Sequence, residues 1–281
     1  MRGSAQRKNM TILLMALAMH AAASASPFDD GTSMTSTNTG SCCPVIELRQ
    51  YTLKPGQRDV LIELFEREFI ETQETVGMRL IGQFRDRDRP DRFVWMRGFA
   101  DMPSRAIALA AFYGGPTWMA NREVANATMI DSDNVLLLRP VTPSSAFAVP
   151  TRERAPVGST LLSESRILAT IYYCDSPVDD EFRRFFDSEV AATLSETGAT
   201  PIAQFETESA ANTFPRLPVR GGEHVFIWFA AFAGEAALRE HERQLAASPR
   251  WTSEVVPALT KYLKSPPERL ILEPTPRSRL R

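Results

Sequence analysis

The chain has 281 residues, 43% of them hydrophobic and 23% charged, with a net charge of −2. That is enough for two domains of globular composition, and the near-neutral balance excludes the basic footprint that nucleic acid requires. Three cysteines and three histidines at no metal-ligand spacing give no support to a zinc or haem centre.

The N-terminus has the order of a secretory signal peptide. Arg2, Arg7 and Lys8 precede the apolar run Ile12–Met19, and Ala23-Ser24-Ala25 offers a small-residue cleavage site. The run is too short to span a bilayer. The expected layout is a leader over residues 1–26 and a flexible Ser/Thr/Gly-rich tether over 27–43. Secretion or periplasmic export follows; a start at Met34 gives a cytoplasmic protein instead. Cys42 and Cys43 are adjacent, which disfavours a bond between them, and are expected to be free thiols.

From residue 44 the pattern becomes regular. Val45–Thr52 alternates apolar and polar residues, with Ile46 and Leu48 on one face and Glu47, Arg49 and Tyr51 on the other, as in a strand. Leu61, Leu64, Phe65, Phe69 and Val76 have the spacing of a helix stripe over 58–76, closed by Gly77. A strand over Arg79–Arg85 places Arg79, Ile81, Gln83 and Arg85 on one face. The charged turn Arg85–Arg92 follows, then a strand Phe93–Phe99 with Phe93, Trp95, Arg97 and Phe99 on one face. Helices are expected from Ser104 and from Thr117, and a strand over Val135–Arg139. The order is β-α-β-β-α-(α)-β, a ferredoxin-like unit over 44–140.

The pattern then recurs. Gly77, Ile81, Gln83 and Phe84 return as Gly198, Ile202, Gln204 and Phe205, 121 positions later; Phe93–Phe99 returns as Phe226–Phe232 and Pro116-Thr117-Trp118 as Pro249-Arg250-Trp251, 133 positions later. Leu136–Pro140 is echoed by Leu270–Pro274. Conserved order and spacing indicate a tandem repeat. A second unit is expected over 161–274, after a Pro-rich linker at 141–160 and before a frayed basic tail at 275–281. The fold class is α+β, with the antiparallel sheets of two ferredoxin-like repeats packed face to face. The second unit gains 12 residues within Glu206–Glu223, either a lid or contact surface or tolerated drift.

Ile46–Gly56 (IELRQYTLKPG), Gly82–Phe84, Phe93–Phe99, Pro116–Trp118 and Val135–Pro140 resemble the NIPSNAP family, a branch of the dimeric α/β-barrel superfamily. The second unit matches more loosely. The resemblance implies a barrel formed within one chain. It implies no settled chemistry, since barrels of this type include monooxygenases, isomerases and haem enzymes.

Across the repeat, Tyr51, Gln83 and Trp95 are retained as Tyr172, Gln204 and Trp228. Glu47, Arg49 and Arg97 become Leu168, Thr170 and Ala230. The retained set is expected to serve structure. The lost set is a candidate pocket facing into the barrel, where Arg49 and Arg97 hold an anionic or carbonyl ligand and Glu47 acts as a base, or else it is a buried salt bridge. The candidate ligand-binding residues are Arg49, Tyr51, Gln83, Trp95 and Arg97, with Glu47 the catalytic candidate. No cofactor or metal is expected. His241 lies in a Glu/Arg-rich helix, and no G-x-S-x-G, H-E-x-x-H, P-loop or G-x-G-x-x-G motif occurs. Three functions follow, in order: a binder of a small molecule or protein partner, with homo-oligomerisation open; a cofactor-independent monooxygenase- or isomerase-like enzyme; and, last, a haem-handling protein.

Overall fold

The computed structural model describes residues 42–148 and 153–281. The leader and nearly all of the tether lie outside them. The first half runs β1 (Val45–Leu53), α1 (Arg58–Leu64), a π-helical turn at Phe65–Phe69, α2 (Ile70–Thr75), β2 (Arg79–Asp86), β3 (Arg92–Phe99), α3 (Met102–Tyr113), α4 (Pro116–Thr128), the short β4 (Met129–Asp131) and β5 (Val135–Pro140). The second half runs β6 (Arg166–Tyr173), α5 (Asp180–Phe185), a π-helical turn at Phe186–Ala191, α6 (Ala192–Glu196), β7 (Ala203–Thr207), β8 (Val225–Phe232), α7 (Glu235–Ala247), a third π-helical turn at Trp251–Val255, α8 (Val256–Thr260) and β9 (Glu268–Pro274). The order of strands and helices is the same apart from β4. Both first helices end at a glycine with φ of 93°, Gly77 and Gly198, a conformation that costs other residues steric strain.

Eight strands close into an antiparallel barrel in the order β3-β2-β9-β6-β8-β7-β5-β1, and the β1–β3 pairing completes the ring; β4 hangs on β1. The seams between the halves are β2–β9 and β5–β7. Instead of two separate sheets stacked face to face, the strands hydrogen-bond across both edges into one closed sheet, which removes the open edges.

Alternation along each strand gives the sheet two buried faces. Ile46, Leu48, Val94, Met96, Phe205, Phe229 and their neighbours from both halves form one apolar cluster, the lumen of the barrel. The opposite faces pack under separate helix layers, one for each half. In β2 a register shift between Leu80 and Gly82 breaks the simple alternation. Ile81 joins the lumen with Phe84, while Leu80 joins the helix side, so Arg79, Ile81, Gln83 and Arg85 do not share one face as expected.

The linker and the tail are more ordered than their composition suggests. In the linker, Phe147 enters the lumen cluster and packs on Phe205 and Phe229, with ring centroids 5.2 and 4.9 Å away. Arg154 donates to Glu74, to the Leu80 carbonyl and to the Arg277 carbonyl. The tail is bound rather than frayed: Thr275, Arg277 and Ser278 are buried, the Thr275 and Leu280 amides donate to Gln83 and Ile81 of β2, and Arg277 pairs with Glu71. The helix cap also differs, since Asp101 rather than Ser104 caps α3 by accepting from the Ser104 amide.

Cys42 and Cys43 are joined by a disulfide, against the expectation of free thiols. Cys43 adopts a φ of 63°, and Gly98 opposite leaves room for it, since a Cβ there would lie 2.3 Å from the Cys43 sulfur. Cys174 is the free cysteine among the described residues; burial first, then Asp175, pushes its thiol up to about 11, so it stays protonated.

Candidate functional site

The antiparallel register of β1 and β3 places Glu47 opposite Arg97 and Arg49 opposite Trp95. All four, with Tyr51, lie on the helix side of the sheet. The charged set therefore does not face into the barrel, whose lumen is apolar. Glu47, Arg49 and Arg97 are each 0% exposed.

Glu47 is surrounded. Its Oε2 accepts from Arg49 Nη1 at 2.7 Å and from Arg97 Nε at 2.8 Å; its Oε1 accepts from Arg105 Nε at 2.7 Å. The Nη2 atoms of Arg97 and Arg105 also approach the carboxylate, at 2.8 and 2.6 Å, off the hydrogen-bond line. Burial alone would raise the Glu47 pKa; the guanidiniums of Arg97, Arg49 and Arg105 outweigh it and hold the carboxyl well below its usual range. Arg97 Nη1 donates to Gln73 Oε1 at 2.8 Å, and Arg49 Nε to the Tyr51 hydroxyl at 2.9 Å. Burial pushes the Tyr51 phenol up to about 12 against the opposing pull of Arg49. Arg97 and Arg49 also lie over the Trp95 ring, 5.0 and 5.4 Å from its centroid. Trp95 Nε1 is buried without a partner.

Arg105 and Gln73 were not legible as site residues from periodicity, although a signal was present. Arg105 shares the buried stripe of α3 with Ala108, Leu109 and Phe112, the one charge on that stripe. Gln73 follows Phe69 by one helical turn on the buried side. Gln83 does not join the set; its Oε1 accepts from Arg154 of the linker at 3.4 Å.

A lid closes over the cluster. Residues 208–224, which contain the extra length of the second half, cross onto the first half. Arg105 Nη1 donates to Asn212 Oδ1 at 2.9 Å and to Thr213 Oγ1 at 3.2 Å. Phe214 stacks on Tyr113 at 6.0 Å and 21°. The Glu208 and Arg220 amides donate to the carbonyls of Leu137 and Val135 in β5. The insertion is thus a contact surface. It also borders a cleft of about 670 Å³ running from Leu137 and Arg139 to Arg220, along the β5–β7 seam.

Under the second helix layer the matching positions differ. Glu47, Arg49 and Gln73 correspond, 121 residues on, to Leu168, Thr170 and Leu194; Arg97 and Arg105 correspond, 133 residues on, to Ala230 and Leu238. All five are buried. Trp228 Nε1 donates to the Tyr172 hydroxyl at 3.1 Å, the bond that Arg49 displaces in the first half. A cavity of about 360 Å³ lies here, lined by Leu168, Thr170, Tyr172, Leu194 and Trp228 among others. None of the five principal cavities is lined by Glu47, Arg49 or Arg97. Among the described residues no group of His, Cys, Asp and Glu is disposed to hold a metal ion, and no helix is long and apolar enough to cross a membrane.

The fold is similar to several solved structures. A candidate monooxygenase from Fusobacterium nucleatum matches at 9% identity and a TM-score of 0.49, over 83% of this chain and 93% of that one. A dye-decolorizing peroxidase from Bacteroides thetaiotaomicron matches at 9% identity and a TM-score of 0.48, over 84% and 94%. A NIPSNAP domain protein from Burkholderia xenovorans matches at 17% identity and a TM-score of 0.33, over 35% of this chain and 95% of that one. No curated protein matches the sequence. The NIPSNAP family model matches residues 46–145, the stretch that holds β1 to β5 and the Glu47 cluster. The chain carries a NIPSNAP domain across those residues.

Proposed function

We propose that the protein binds a small molecule without transforming it, and that its halves are tandem copies of one unit, the first specialised to hold the assembly together and the second to hold the ligand. The observation that carries this reading is the state of Glu47. Three guanidiniums engage its two oxygens, it has no exposure, and it is held ionised. A general base needs an open position for a substrate proton within hydrogen-bond reach, and Glu47 has none. The filled lumen leaves no charged pocket inside the barrel for an isomerase- or monooxygenase-like reaction.

A buried carboxylate that ties together three arginines from β1, β3 and α3 fastens the helix layer to the sheet. The lid then fastens the second half to the first through Arg105. The Cys42–Cys43 bond fits an oxidising compartment and supports export as part of the same reading. Native mass spectrometry of the protein drawn from cell extract tests the function. The expected result is a small molecule that co-purifies and is recovered chemically unchanged after prolonged aerobic incubation. Conversion of that molecule by the protein, or no bound molecule at all, overturns it.

A further inference from the structure

We infer that the cavity under the second helix layer is the ligand site, and that it takes a flat, mainly apolar molecule bearing one hydroxyl or carbonyl oxygen. The inference deepens the binding reading above and rests on it.

The cavity arises by subtraction. Five positions that carry Glu, Arg, Gln, Arg and Arg in the first half carry Leu, Thr, Leu, Ala and Leu in the second. Leu168, Thr170 and Leu194 line the cavity at the positions where the first half packs Glu47, Arg49 and Gln73; Ala230 and Leu238 are buried but do not line it. The cavity at these positions has a volume of about 360 Å³. A void this large lined by apolar groups holds a guest of matching chemistry more readily than water, which needs several polar partners.

The lining states the chemistry. Tyr172, Trp228 and Trp251 offer ring faces and edges, which favours a flat aromatic or conjugated guest. Leu168, Leu194 and Leu259 supply apolar contact. One polar group stands among them without a partner: Thr170 Oγ1, in a residue 4% exposed. A buried hydroxyl left unpaired is costly, and a small turn of the Thr170 side chain would bring it to a guest oxygen and satisfy it. Tyr172, Trp228, His241, Glu242 and Arg269 of the lining each make at least one contact, although the Tyr172 O–H donor has no partner. The Tyr172 hydroxyl accepts from Trp228, His241 Nδ1 contacts Thr197, and Arg269 pairs with Glu242 at 2.7 Å. Pairing in the sheet sets Arg269, Thr170 and Trp228 side by side on β9, β6 and β8. The half-exposed Arg269 marks the mouth and Thr170 lies deep. At depth the site thus offers the Thr170 hydroxyl and the Tyr172 O–H donor to a guest oxygen, and no unpaired cation to an anion.

The test uses the full chain and two probes that differ by one hydroxyl, 2-naphthol and naphthalene, titrated calorimetrically. The wild-type chain should bind both saturably at one site, with 2-naphthol the tighter. Thr170→Val keeps the side-chain shape, so the fold should persist; it should weaken 2-naphthol about fivefold and leave naphthalene unchanged. Leu259→Trp should fill the cavity and abolish both, with far-UV circular dichroism confirming a folded chain. No saturation by wild type overturns the site. So does equal loss of both probes in Thr170→Val, no loss of either, or binding that survives a folded Leu259→Trp. If a cellular molecule co-purifies and Leu259→Trp retains it, binding stands and this site falls. If neither a cellular molecule nor 2-naphthol binds, both fall.

Discussion

The two helix layers of this barrel sit on matching strands and enclose opposite chemistry. Under the first, one carboxylate and three guanidiniums pack to the exclusion of space. Under the second, leucine and threonine at matching positions line a cavity. The barrel and its helices form with either filling, so neither is dictated by the architecture. Closure of the sheet and the shared apolar lumen carry the common fold, and the helix–sheet layer is free to diverge.

Removing the charge at the centre of the first layer should have the largest effect. Glu47→Leu installs the residue of the second half but strands three buried guanidiniums, and urea unfolding should show a loss of about 3–5 kcal/mol. Converting Glu47, Arg49, Arg97 and Arg105 together to Leu, Thr, Ala and Leu should cost less than the sum of the four single changes, because the charges leave as a set. Additive losses would break the comparison. A new 2-naphthol site in the converted chain would sharpen it.

Acid should separate the halves next. Glu47 titrates below its ordinary 4.5 in the folded chain, so its stabilisation is complete above about pH 4.5 and declines as pH falls toward the lower folded value. Hydrogen exchange below pH 4.5 should show the first helix layer loosening, and Glu47→Gln should remove that acid dependence. A smaller loss is expected for Phe214→Ala, about 1 kcal/mol from the stack on Tyr113, with faster proteolysis within residues 208–224. The smallest effect concerns His241. Burial lowers its pKa below the ordinary 6.5, so its contribution is full above that value and is lost as pH falls through the folded one. His241→Gln should slightly flatten the fall of stability just below pH 6.5, with exchange changes confined to the second half.

Much of this is legible in the sequence. Alternation in Val45–Thr52 puts Glu47, Arg49 and Tyr51 on one face, and the 121- and 133-residue offsets point to Leu168, Thr170 and Ala230. Periodicity tells which residues share a face but not which layer that face meets. In a barrel both faces are buried, so alternation points the charged set to the lumen although it lies under the helices. Arg105 and Gln73 reach the cluster from helices, through contacts far apart in sequence, and a stripe reading treats them as incidental polar residues. The bulge after Leu80 and the docking of Phe147 and Leu280 depend on partners that local composition does not reveal. Nor does the loss of a charge announce an opening: Thr170 in place of Arg49 is a smaller side chain, and the cavity beside it follows only from how the helices pack.

The reach of residues 208–224 onto the first half also bears on synthesis. When β1 to β5 leave the ribosome, Asn212 and Thr213 do not yet exist, and neither does the tail that donates to β2. The nascent first half therefore holds Arg105 without its cover and two unpaired strand edges, at β2 and β5, until the rest of the polypeptide arrives. A chain stalled before residue 208 should be sticky and readily digested, and emergence of residues 275–281 should be the event that makes it resistant.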